Sequence, residues 1–334
     1  MQIGIVPVLL FSLALVSFRA IAQDSSQGIG VGPVVTSLGN SQAQQKTASI
    51  SAPAIRVDVH LVNVFVNVTD SKGAPVAGLT KDNFILAEDG HPEKIALFDR
   101  ESAVPLSIVL AIDTSGTVHK DMSIEEHAAR EFVHALIRPV DQLDLMDFSS
   151  DVREVVPFTN NLHQIDSGLD RLRGGPATAL YDTIYLASQS LASHQGRKVL
   201  VLISDGDDTV KGVDYPRALE QALRSEVLVY SIIDVPIAAD AGRDTGGEHA
   251  LITLSQETGG KHYYAESTQL TKAFQQVSED LRTQYLLGYY PSRRSDSPDF
   301  RSISVTLTGT PPGSEYALRH RTGYYPLPPG STKD

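Results

Sequence analysis

The feature that most constrains the fold is an alternation of short apolar runs with amphipathic stripes between about residues 104 and 290. The apolar runs are rich in aliphatic and β-branched residues, as strands of a parallel sheet covered on both faces are: PLSIVLAID, DLMDFS, KVLVLISD and VLVYSIID. Between and after them, apolar residues recur at helical spacing, as in Ala129, Phe132, Val133, Leu136 and Ile137. This alternation predicts an α/β domain at 104–290 with a doubly wound, mostly parallel sheet.

The segments on either side of this domain predict a smaller antiparallel β module. Residues 55–103 contain the alternating run IRVDVHLVNVFVNVTD, followed by strand-like segments around the hairpin signal Asp89-Gly90. The tail, residues 291–334, alternates in a similar way in FRSISVTLTG and EYALRHRTGYY. We therefore expect the tail to complete a discontinuous β module whose first part is residues 55–103.

The N-terminus has the pattern of an export signal. An apolar run from Ile3 to Phe18 precedes Ala20-Ile21-Ala22, small residues at the positions that a signal peptidase inspects. The pattern predicts a signal peptide at 1–22, and the alternative is an uncleaved anchor, although the run is shorter than the roughly 20 residues of a membrane span. Residues 23–54 are rich in Ser, Gln and Gly without persistent periodicity, which predicts a flexible leader.

Charge and cysteine content narrow the classes of partner and chemistry. The formal net charge of −12 disfavours binding to nucleic acid, and no later segment has the length and hydrophobicity of a membrane span. The chain contains no cysteine, which excludes disulfides, thiolate catalysis and thiolate-bound zinc. Export without disulfides is typical of a bacterial protein, so we expect a periplasmic or secreted location.

Three polar clusters follow predicted strands or precede a predicted helix, where ligands bind in such sheets. Asp113, Ser115 and Thr117 follow SIVLAI, Thr178 follows a Gly-rich loop, and Asp205 follows KVLVLI. Carboxylate and hydroxyl oxygens are ligands that Mg²⁺ or Mn²⁺ prefers, with Asp113 and Asp205 acting directly or through water. Two protein carboxylates balance the charge of such a dication only weakly and leave one of its coordination positions vacant. A carboxylate from a partner would fill that position. The alternative is that the Asp and hydroxyl side chains only cap helices or form turns.

The sequence DTSGT, the later Thr178 and the SDG after the next apolar strand resemble the metal-ion-dependent adhesion site of von Willebrand factor type A domains. The similarity extends over roughly residues 104–290, and the flanking β segments together with the GGPATALYD loop resemble bacterial exported proteins related to this type. The resemblance implies a Rossmann-like fold and a metal site formed by Asp113, Ser115, Thr117, Thr178 and Asp205. It also implies a non-catalytic protein that binds a protein partner through an exposed Asp or Glu.

Other functions are weighed against this hypothesis. A metal that only fastens the strand ends together would make the protein a structural scaffold. An aspartate-nucleophile phosphatase would need a second aspartate where Ser115 stands, and a serine does not protonate a leaving group at neutral pH. Zinc binding by His127 and His134 is disfavoured, because they lie seven residues apart and no carboxylate completes a typical zinc motif. We therefore expect a protein that has no catalytic residues and no enzymatic activity.

Overall fold

The computed structural model describes residues 60–100, 104–116, 122–234, 245–293, 297–309 and 315–326. All of these residues lie in one compact unit, Arg56–Asp334. The predicted signal peptide, the predicted leader and Thr117 lie outside the described residues.

The strands described are β1 (Val62–Asp70), β2 (Phe84–Glu88), β3 (His91–Glu93), β4 (Ile95–Arg100), β5 (Leu106–Asp113), β6 (Gln142–Phe148), β7 (Val152–Thr159), β8 (Arg197–Ser204), β9 (Leu228–Ile233), β10 (His262–Tyr264), β11 (Tyr285–Tyr289), β12 (Arg301–Leu307), β13 (Tyr316–Arg319) and β14 (Gly323–Tyr324). The α-helices described are α1 (Met122–Leu136), α2 (Leu162–Leu169), α3 (Leu180–Ala192), α4 (Tyr215–Arg224), α5 (Thr245–Thr258) and α6 (Leu270–Arg282).

The centre of the molecule is a six-stranded sheet in the order β10-β9-β8-β5-β6-β7. Its strands are parallel except for β7, which pairs antiparallel with β6 at the edge. The prediction of a doubly wound, mostly parallel sheet is confirmed. The chain leaves β5 toward β6 and β7 and then returns to β8 on the other side of β5, so the strand order reverses between β5 and β8. Such a switch point forms a crevice at the carboxyl ends of the two strands.

Helices cover both faces of this sheet and bury two apolar cores. On one face α1, α2 and α6 pack against β5 and β6, with Phe132 and Phe274 stacked at a centroid distance of 4.6 Å. On the other face α3, α4 and α5 pack against residues such as Val109 and Leu200. The stripe predicted from Ala129 to Leu136 lies in α1. The sequence reading missed α5, which contains two glycines near its start and has only a short apolar stripe.

Two antiparallel sheets, β13-β1-β11-β4 and β14-β12-β2-β3, contain strands from both ends of the described chain. Their shared core is formed by apolar side chains from both sheets, including Val64, Leu86 and Leu287. β11 lies inside the range predicted for the α/β domain, yet it pairs with β1 and β4. Asp89 and Gly90 have positive φ angles of 48° and 75°, as the predicted hairpin between β2 and β3 requires.

A polar junction joins the antiparallel sheets to the amino end of β8. The Arg197 guanidinium donates to Gln284 Oε1 at 2.7 Å, and the Gln284 amide donates to Asn67 Oδ1 at 2.8 Å. Asp205 follows the other end of β8. Eight residues of strand (Arg197–Ser204) span roughly 26 Å. The antiparallel sheets therefore contact the central sheet at the edge opposite the predicted metal site.

Among the described residues, no helix combines the length and the hydrophobicity that a membrane crossing needs.

Candidate metal centre

Asp113 is the anchor of the predicted site. It is the last residue of β5 and is 0% exposed. Its Oδ1 accepts a hydrogen bond from the backbone N–H of Ser115 at 2.9 Å, and its Oδ2 accepts one from the Ser204 hydroxyl at 2.8 Å. Both carboxyl oxygens are therefore fixed in orientation at the carboxyl end of the central strand.

The environment of Asp113 opposes its negative charge. Burial raises its pKa to about 6, and the nearby carboxylate of Asp205 adds to this increase. Hydrogen bonds from Ser115 and Ser204 lower the pKa and offset part of the effect. The charge at this edge of the sheet is thus only partly compensated by the protein itself.

Ser115 and the Gly-rich loop lie side by side. Ser115 is 3% exposed and forms an isolated parallel bridge with Gly175, whose N–H donates to the Thr114 carbonyl at 3.2 Å. A Cβ at Gly175 would lie 2.5 Å from the Ser149 hydroxyl oxygen, so the loop approaches this closely because it has a glycine there. The loop that contains Thr178 is in this way attached to the DTSGT segment.

Thr178 and Asp205 come together through a second set of backbone contacts. Thr178 precedes α3, and its N–H donates to the Thr209 hydroxyl at 2.8 Å. The Thr178 carbonyl accepts from the N–H groups of Thr209 and Val210 at 2.9 and 3.1 Å. The loop after Asp205 therefore lies against Thr178. The predicted residues Asp113, Ser115, Thr178 and Asp205 share one edge of the sheet, whereas Thr117 lies outside the described residues.

Ser204 and Asp208 are parts of this arrangement that the sequence reading missed. Besides holding Asp113, the Ser204 hydroxyl accepts from the Gly206 N–H at 3.1 Å. Asp208 Oδ1 accepts from the Tyr181 N–H at 3.1 Å in the first turn of α3. The serine of SDG and the aspartate two residues after this motif were the available signals, but neither identifies its partner without the tertiary structure.

Gly206 sets the position of the loop that follows Asp205. Its φ is +99°, a conformation that favours glycine, and an added Cβ would lie 2.8 Å from the backbone N of Glu248 at the start of α5. We expect Gly206→Ala to destabilise the protein by about 1–3 kcal/mol and to weaken metal binding by displacing Asp205. Urea unfolding in EDTA and thermal shifts with Mn²⁺ measure the two effects.

Gly116→Ala is the matched control for this prediction. Gly116 lies in the DTSGT segment, and among the described residues its added Cβ would meet only the Gly175 carbonyl oxygen at 3.7 Å, which is an ordinary contact. Equal losses of stability in the two variants would contradict the role assigned to Gly206.

The two histidines on α1 lie beside acidic side chains. His127 Nε2 lies 3.6 Å from Glu131, and His134 Nε2 lies 3.0 Å from Asp166. The described residues contain no group of three or more His, Cys, Asp and Glu side chains placed to hold a metal ion. The edge with Asp113 differs from such a group because it combines two carboxylates with hydroxyls, an all-oxygen donor set that suits a hard dication.

Residues 108–207 match the family model described as the von Willebrand factor type A domain. The match runs from within β5 to the loop after β8, so it includes both strands at the switch point and all five predicted site residues. This chain carries a von Willebrand factor type A domain. Von Willebrand factor type A domains typically mediate protein interactions. No curated protein matches the chain.

Solved structures of von Willebrand factor type A and related proteins are similar to this chain at low sequence identity. An aerotolerance-related membrane protein from Bacteroides fragilis is 17% identical, with 53% of this chain and 98% of that one covered and a TM-score of 0.43. The von Willebrand factor domain of the type V pili tip protein Mfa5 from Porphyromonas gingivalis is 13% identical, with 53% and 95% covered and a TM-score of 0.44. A von Willebrand factor type A protein from Catenulispora acidiphila is 10% identical, with 78% and 73% covered and a TM-score of 0.46.

Proposed function

We propose that this protein is a metal-dependent binding module that holds Mg²⁺ or Mn²⁺ and engages a carboxylate of a protein partner. Asp113, Ser115, Thr117, Thr178 and Asp205 would hold the cation, directly or through water. The observation that carries the proposal is the fixed Asp113 carboxylate, which is wholly buried at the switch point and has Asp205 and the Ser115 hydroxyl beside it.

Electrostatics gives the physical reason for a cation at this position. A buried carboxylate with a raised pKa and a neighbouring carboxylate is stabilised when a positive charge lies between them. A bound dication would supply that charge and a Lewis-acidic centre for a further oxygen ligand. The protein residues orient the donors, and the antiparallel sheets contact the opposite edge of the central sheet.

A partner with an exposed Asp or Glu fits this site better than other ligands. The protein has a net charge of −12, so an acidic partner is repelled overall and needs a local positive centre. We further propose that the protein is exported, as its N-terminal sequence indicates, and that binding takes place in the periplasm or outside the cell. The proposal assigns no catalytic residue to the chain.

The first test is thermal unfolding of the full chain in EDTA and across a titration of Mg²⁺ and Mn²⁺. A metal that binds only the native state should stabilise it by about 2.7 kcal/mol at 100 times its Kd. Ser115→Ala and Thr178→Ala each remove one hydroxyl donor and should reduce this stabilisation at a fixed metal concentration. Ser193→Ala is the control, because this exposed hydroxyl lies past the far end of α3.

The outcomes separate the competing functions. Wild-type protein that shows no metal-dependent shift while folded would refute the metal site. Stabilisation by metal without binding to any immobilised peptide that bears an exposed Asp or Glu would support the structural scaffold instead. Metal-dependent hydrolysis of an aryl phosphate, lost in Asp113→Asn, would favour the phosphatase.

A further inference from the structure

Asp144 is a buried carboxyl group that the proposed metal site does not use. It lies in the middle of β6, on the face that Met146 and Phe148 direct toward α3, and it is 0% exposed. Neither of its carboxyl oxygens has a hydrogen-bond partner. An ionised carboxylate at such a position is costly, because no donor replaces the water that it has lost.

The edge strand β7 is irregular where it passes Asp144. Leu143 pairs with Thr159, Leu145 with Val156 and Met146 with Glu154. Between Leu143 and Leu145, β6 advances by two residues while β7 advances by three, from Thr159 to Val156. Between Leu145 and Met146, β6 advances by one residue while β7 advances by two, from Val156 to Glu154. β7 thus bulges opposite Asp144 and again between Leu145 and Met146, and Pro157 lies in the first bulge, as is typical of proline in an edge strand.

The groups around Asp144 favour its neutral form. Burial raises the pKa of Asp144 to about 8, and the carboxylate of Glu154 on β7 adds to the increase. Ser190 on α3 lowers the pKa slightly, although neither Ser190 nor Glu154 reaches normal hydrogen-bond geometry with Asp144. β5 presents apolar Val109 opposite Asp144.

The other titratable groups on this face have different partners. His194, after the end of α3, packs on Phe158 of β7 at a centroid distance of 3.8 Å, and its Nδ1 lies 3.1 Å from the Ser190 carbonyl oxygen. The Lys198 ammonium of β8 donates to the carbonyls of Ala192 and Ser225. Neither His194 nor Lys198 contributes to the pKa of Asp144.

We propose that Asp144 is a proton-operated latch that holds the edge strand β7 on the central sheet. When the carboxyl is protonated, it stays among the apolar side chains between β6 and α3. When it loses its proton, hydration of the carboxylate requires a path to solvent, and the bulged part of β7 next to exposed Glu154 is the segment that can open to provide it. Because the Phe148 carbonyl at the end of β6 accepts from the Thr114 N–H at 2.8 Å, the latch lies in a strand that contacts the DTSGT segment.

The sign of the pH dependence follows from the raised pKa. Stability from the protonated group is fully present below about pH 4 and is lost as the pH rises through about 8. Amide hydrogen exchange of the full chain between pH 5 and pH 8 tests this, after correction for the intrinsic exchange rate. We expect protection of the β7 amides to fall by up to tenfold per pH unit in the wild type and to be independent of pH in Asp144→Asn.

Two further variants keep the test decisive if Asp144→Asn folds poorly. Glu154→Gln removes the neighbouring charge at an exposed position and so lowers the pKa of Asp144, which means that the loss of protection should level off at a lower pH than in the wild type and be smaller in total. Asp151→Asn, an exposed carboxylate between β6 and β7, removes the same charge away from the latch and should leave the profile unchanged.

Two results would overturn the latch. Parallel pH profiles for the wild type, Asp144→Asn and Glu154→Gln would mean that Asp144 does not control the edge strand. Recovery of β7 protection at pH 8 on addition of millimolar Ca²⁺, in the wild type but not in Asp144→Asn, would mean that the carboxyl pair holds a cation instead of a proton. Neither result depends on the proposed site at Asp113.

Discussion

Asp113→Asn should make the metal-free protein more stable and at the same time abolish its stabilisation by metal. The folded-state pKa of Asp113 is raised from 3.8 to about 6 by burial, so its ionisation destabilises the fold. The destabilisation caused by ionised Asp113 is absent below about pH 4, grows as the pH rises to about 6, and is constant above about pH 6. Asparagine has the same shape without the charge, and it should recover up to about 3 kcal/mol at pH 7.5 in EDTA.

The same variant should lose the metal effect because a neutral amide is a weak ligand for a hard dication. The measurement is urea unfolding at pH 4 and pH 7.5, each in EDTA and in saturating Mn²⁺. Asp151→Asn is the control for a change of one charge, since its carboxylate is exposed near the same edge. A variant that is less stable than the wild type in EDTA at pH 7.5 would contradict the assigned electrostatics. A variant that retains the full metal shift would contradict the site.

Glu88→Ala should destabilise the protein by about 3–5 kcal/mol, which is the usual cost of removing one partner of a buried ion pair. Glu88 is 3% exposed, and its Oε1 accepts from the Arg301 guanidinium at 2.6 Å. Its Oε2 accepts from the hydroxyls of Tyr289 and Tyr324 at 2.6 and 2.9 Å. Burial and the hydrogen bond to Glu88 raise the pKa of Tyr289, so this hydroxyl stays a neutral donor.

Glu88 connects both antiparallel sheets, because its partners come from β11, β12 and β14. Its loss would leave a buried guanidinium and two hydroxyls without their acceptor. Urea unfolding of Glu88→Ala measures the effect, with Glu279→Ala on the exposed face of α6 as the control of equal charge. The double variant Glu88→Leu/Arg301→Met should recover part of the loss, since it removes both charges. A loss below about 1 kcal/mol in Glu88→Ala would show that the network contributes little.

The α/β sheet was predictable because its strands and helices have strong local periodicity. The runs that became β5, β6, β8 and β9 are almost wholly buried, and a parallel sheet requires this on both faces. The edge strand β7 was missed because its apolar residues alternate irregularly around two bulges and a proline. The short strand β10 offered only His262 to Tyr264 as a signal.

The order of the site residues was also visible in the sequence. Polar residues directly after apolar strands must lie at the carboxyl edge of a parallel sheet, which is why Asp113 and Asp205 could be placed together. Their hydrogen bonds could not be predicted in this way. Ser204 reaches Asp113 across 91 positions in the chain, and no local pattern specifies such a pair.

The sequence by itself determined the class of the fold, the edge of the sheet where the candidate site lies and the residue types available there, because each depends on short-range periodicity. Only the tertiary structure decided which groups are buried with or without partners. Asp144 looks like any polar residue in its strand until β7 and α3 cover it. Glu88 meets Tyr289 over a separation of 201 residues, and pairing at that distance is set by the packing of the two sheets.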